Sequence, residues 1–166
     1  MMLRFPRVLA ALFVVGCPVS VFAQTHSDTL LTVGGDVDQP YVLSAAEFAK
    51  LPHTSVRAEG HDTKTSKFEG VLLADLLRRA GVKLGTELRG PRVAQAVVVG
   101  AADGYRAVFA IAELDSAFSD RTILLSDLRD GAPTGTTEGP LRVVATGDKR
   151  FARWVRQVTS LTIRKL

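Results

Sequence analysis

The stretch EGPLRVVATGDKRFARWVRQV, residues 138–158, gathers charge around the chain's one tryptophan. Arg142 lies inside its apolar run, and Lys149, Arg150 and Arg153 crowd just before Trp154. Guanidinium groups meet phosphate or carboxylate through paired N–H donors, so arginines on a loop beside an aromatic suit an anion. The spacing leaves two readings open. Either this is an anion site, or Trp154 packs in a core while the arginines stand in water.

Other chemistries find less support. Glu59, His61 and Asp62 fall together in EGHD, but three ligands from so short a loop need a fourth from elsewhere. There is no H-x-x-x-H pair, so no metal site is assigned. Cys17 is the sole cysteine and lies in the leader described below, leaving the domain with no thiolate nucleophile. G-x-S-x-G and G-K-[ST] are both absent, which argues against a serine hydrolase elbow and a P-loop. The 21 basic and 17 acidic residues are interspersed and lack the dense basic stripe of a nucleic-acid binder.

These residues need elements to hold them. Thr29–Val37 reads as a strand ending in a Gly-Gly turn. In LSAAEFAKLP, Ser44 and Glu47 fit a capping box, Leu43 and Phe48 fit a hydrophobic staple, and Pro52 stops the helix. HTSVRA reads as a strand. The following polar stretch, up to Gly70, shows no apolar period and reads as a loop. VLLADLLRRAGV is the strongest helix, with Leu72, Leu73, Leu76, Leu77 and Ala80 on one face. Asp75 and Arg79 are spaced for an i,i+4 pair, and Gly81 for a left-handed ending. Residues 92–114 read as a hairpin bent at Asp103-Gly104, with a short helix over Ala112–Phe118. TILLS, LRVVAT and VTSLTIRK are strands, and Asp130-Gly131 offers another turn. This order predicts an α+β domain with a mixed, largely antiparallel sheet and a few short helices.

Residues 1–23 read as a signal peptide. Arg4 and Arg7 precede the apolar VLAALFVVG, and small residues lead to Ala23. The expectation is an exported protein, periplasmic or secreted, with one domain over 24–166 and no transmembrane segment in it. VVGC offers an alternative, a lipid anchor on Cys17, against which Pro18 counts.

Together FEGVLLADLLRRAGV, ADGY, LRDGAP, EGPLRVVA and RFARW make the chain resemble the oxidoreductase molybdopterin-binding domain, the sulfite-oxidase-like fold. The resemblance runs over about residues 30–164. It implies molybdopterin as the cofactor, with Arg150 and Arg153 on its phosphate and Arg142 nearby. It also implies a cysteine thiolate on the metal, at about Ala58. The sequence departs there: Arg57, Ala58, Glu59 and His61 rim the pocket and supply no thiolate. The expectation is therefore a non-redox module that binds an anionic small molecule or a protein partner, with no catalytic residue assigned. The alternative is an active molybdopterin-dependent oxidoreductase whose metal is held by Glu59 or His61, or left open to solvent.

Overall fold

In a computed structural model, the structure describes residues 28–60 and 62–166. The expected leader, Cys17 and His61 lie outside the described residues. Two five-stranded sheets share one apolar core. The first sheet runs β2 (Tyr41–Ser44), β1 (Thr29–Gly35), β10 (Val158–Lys165), β5 (Gln95–Ala101) and β6 (Arg106–Ala110). Only the β1–β10 pair in it is parallel. The second runs β3 (Thr54–Glu59), β4 (Thr65–Leu72), β7 (Ile123–Arg129) and the two-residue β8 (Ala132–Pro133), with β9 (Arg142–Ala145) also on β7; all its pairs are antiparallel. This is the mixed, largely antiparallel α+β architecture expected.

Strand chemistry sets the layers. Along β10, Val158, Leu161 and Ile163 face inward while Thr159, Arg164 and Lys165 meet solvent. All four residues of β9 are buried, an apolar Val-Val-Ala run opened by one arginine, Arg142. Leu73, Leu76 and Leu77 of helix α2 (Leu73–Arg79) join the same core.

Several local signals act as read. Ser44 caps α1 (Ala45–Phe48): its Oγ accepts from Glu47 N at 3.3 Å, and the Glu47 carboxylate accepts from Ser44 N at 2.8 Å. The Ser44 backbone N–H and then its hydroxyl, both donating to the Glu47 carboxylate at 2.8 Å, hold that carboxyl below its ordinary pKa. Helix α2 ends with Gly81 at φ +90°, Val82 N donating to Leu77 O and Gly81 N to Arg78 O, the paired bonds of a Schellman ending. At the β5–β6 bend Gly104 takes φ +87° and Asp103 accepts from Tyr105 N.

Three readings are corrected. The polar stretch after β3 is a hairpin, with Arg57 opposite Lys67 and Ala58 opposite Ser66, so α2 begins at Leu73 after a strand. The inward positions of β4 include Ser66 and Gly70, which hide its alternation. A Cβ on Gly70 would collide with the Leu125 carbonyl oxygen, so glycine lets β4 and β7 approach. Asp75 pairs with Arg78, not Arg79, at 2.6 Å, while Arg79 lies 4.7 Å over the Tyr41 ring. Residues 112–118 form no α-helix; a 3-10 turn covers Ile111–Leu114.

Candidate functional site

Trp154 is the fixed point of the site. It is buried, and its Nε1 donates to Ala145 O at 2.9 Å across to β9. Phe68 and Phe151 meet its ring edge-on, at 5.7 and 5.1 Å. Trp154 therefore packs in the core, as one reading held. The arginines around it are not all solvated, as that reading also required; each sits in a different environment.

Arg142 is 1% exposed. Its guanidinium lies 5.3 Å from the Phe68 ring and 5.5 Å from Trp154. Its Nη1 donates to the Glu138 carboxylate. Its Nε and Nη2 are buried and have no hydrogen-bond partner. Desolvation lowers the Arg142 pKa, against the pull of Glu138.

Arg153 is fully engaged. It forms a two-point pair with Asp148, at 2.9 and 2.7 Å, and reaches Glu113 at 2.9 Å. The Phe109 ring lies 4.5 Å below it. The Asp148 hydrogen bonds, then Glu113, raise its pKa. Arg121 reaches Asp148 at 3.2 Å as well, so two arginines and two carboxylates pin the 146–153 segment.

Arg150 is different. It and Lys149 are exposed and take part in none of the ion pairs among the described residues. Both line an open groove of about 690 Å³ beside Trp154, with Tyr105, Phe151, Arg156 and one acid, Asp103. Tyr105 Oη donates to Ala152 O at 2.8 Å and ties the β5–β6 bend to the basic segment. An aromatic wall with three cations against one carboxylate suits an anion.

Arg57, Ala58 and Glu59 lie on edge strand β3, and the structure does not bring them to this groove. Their end of the sheet connects to it indirectly. Ser66, opposite Ala58, accepts from Arg129 Nε at 3.0 Å. Arg129 also donates to Asp62 at 2.7 Å and comes within 3.8 Å of Glu138, which Arg156 approaches at 3.9 Å. Sequence reasoning missed Arg129, Glu138 and Arg156 as a group. Arg156 was within reach, two residues past the tryptophan; Arg129 ends strand β7, 13 positions before Arg142, and gave no signal.

The family model for the oxidoreductase molybdopterin binding domain matches residues 18–165. The chain belongs to this family. The sulfane dehydrogenase SoxCD from Paracoccus pantotrophus has a similar crystal structure, with a TM-score of 0.65 at 21% identity. The alignment covers 84% of this chain and 39% of that one, so the chain spans well under half of that neighbour's length. No curated protein matches.

The donor set of this member fits only part of a metal-bearing pterin. The strand position at which the resemblance places a thiolate carries the Ala58 methyl group, and the one cysteine of the chain is Cys17. No group of three or more His, Cys, Asp or Glu side chains stands ready for a metal among the described residues. Lys149, Arg150 and Arg156 do fit an anionic group such as a phosphate. The described residues thus suit an anion, and the Ala58 position supplies no thiolate for molybdenum.

Proposed function

We propose that this protein is a non-redox binding module that takes an anionic small molecule, or an anionic segment of a partner protein, in the groove beside Trp154. The observation that carries this reading is the pair Lys149 and Arg150, exposed and in no ion pair among the described residues, against an aromatic wall. Arg153 and Asp148 hold the backbone segment that presents them, so binding has chiefly the two side chains left to order. Export to the periplasm or outside the cell, after removal of residues 1–23, belongs to the same proposal.

Thermal unfolding in the presence of inorganic phosphate, against chloride at matched ionic strength, tests the groove. A ligand that binds the native state raises the melting temperature by mass action. The wild-type protein is expected to respond to phosphate, and K149A/R150A to keep its fold and lose the response. Equal responses in both proteins would remove the groove from the account.

A further inference from the structure

Strand β3 ends the second sheet, and no described strand pairs with its outer side. Its hairpin closes with Gly60 N donating to Lys64 O, and its register with β4 runs unbroken from Thr54 opposite Gly70 to Glu59 opposite Thr65. Antiparallel ladders alternate: the pairs in step with Gly60 and Lys64 bond across to β4, and the pairs between them do not. Arg57 and Glu59 fall between. Their backbone N–H and C=O groups therefore point away from the sheet, and none of the described turn or loop bonds uses them. Proline, a bulge or an inward-pointing charge can blunt such an edge, and β3 carries none of these.

The charges on this edge also stand apart. Arg57 and Glu59 are exposed and take part in none of the ion pairs among the described residues. Arg57 lies opposite Lys67, a like charge whose own partner is Glu69 at 3.0 Å. Its pull on Asp130 is the weakest of the influences that lower that carboxyl. Glu59 lies opposite the neutral Thr65. A second copy laid antiparallel along the edge, Ala58 facing Ala58, sets each Arg57 directly opposite the other copy's Glu59. These are the residues whose backbone groups are free, so each such pair exchanges both backbone bonds and brings guanidinium beside carboxylate. The contact closes on a twofold axis and uses the same patch of both copies. Edge strand β6 offers no such match, since self-pairing about Val108 sets Arg106 against Ala110. Val56 and Ala58 pack inward against the core, so the β3 contact rests on backbone and charge. A contact this small gives a dimer that depends on concentration rather than a permanent one.

We propose that β3 is a self-pairing edge: two copies of this chain join antiparallel along Arg57–Glu59 and continue the second sheet through both molecules. The order of the charges selects the partner, because antiparallel reversal sets unlike charges together when an arginine and a glutamate stand two positions apart. No residue of β3 lines the groove beside Trp154, so the dimer and the groove stand or fall separately.

Sedimentation equilibrium of the full chain, from about 1 μM to about 1 mM, tests the proposal. The weight-average mass of the wild type should climb from one chain towards two. R57E and E59R each place like charges across the axis and should weaken the dimer about tenfold or more. Mixed in equal amounts, these two variants complement each other and should recover wild-type association as a heterodimer. R57E/E59R should recover the homodimer. Both side chains are exposed, so the variants keep the fold, which circular dichroism checks. K149A/R150A should dimerise like the wild type, whatever its response to phosphate. A wild type that stays monomeric at the highest concentration would overturn the proposal. So would a dimer that the single variants leave unchanged, one that their mixture does not recover, or one that K149A/R150A abolishes.

Discussion

Arg150 and Arg153 stand three residues apart and do different work. The Arg153 guanidinium is spent on Asp148 and Glu113, and Asp148 is largely buried. R153A should therefore act on the fold, at about 1–2 kcal/mol in thermal unfolding, since it leaves a shielded carboxylate with Arg121 alone. R153K should recover only part, because an ammonium cannot reproduce the two-point contact. The Ser44 cap gives a smaller effect of known origin. S44A should cost about 1 kcal/mol, by loss of the side-chain acceptor for Glu47 N. The Ser44 box and the Gly81 ending were legible in the sequence because each depends on residues within a few positions. The fates of Arg142, Arg150 and Arg153 were not. Which arginine is buried, which is paired and which is left open depends on Glu138, Glu113 and the β5–β6 bend, partners that spacing along the chain does not reveal.

At the scale of elements, the β3–β4 and β7–β8 hairpins meet at a cluster of acids and arginines. The Asp62 carboxyl is held below its ordinary pKa mainly by its hydrogen bond from Arg129. Asp130 is held down mainly by the Lys67 backbone N–H, at 2.8 Å, across the hairpins. A folded pKa below the unfolded value means the contribution to stability is present above about pH 4 and is lost as pH falls through the folded values. NMR titration should place both midpoints below those of free aspartates. R129Q should return Asp62 towards the ordinary value and leave Asp130 low. The same region shows why strand β4 escaped the sequence. Its inward face alternates Ser66, Phe68 and Gly70, and only one of the three is apolar. Gly70 is there for the close approach of β7, so G70A should cost about 3 kcal/mol or more by forcing the strands apart. Strands β5 and β10 were easily read because their inward positions are Val, Leu and Ile.

Over the whole molecule, the two sheets and the short helices follow a family defined by its hold on a metal-bearing pterin, while the strand that would supply the thiolate ends in Ala58-Glu59. Class and architecture were open to sequence reasoning because motif order along the chain carries them. The site was less open, since its cations come from β7, β9 and the segments around 150 and 156, which meet only in three dimensions. Fold membership does not fix activity, so the account stands on the groove and, apart from it, on the missing thiolate at Ala58. The most direct measurement is molybdenum per chain, by elemental analysis of the full-length protein purified from a host that makes the cofactor. The account predicts far less than one molybdenum per chain; a stoichiometric, tightly held metal would contradict it.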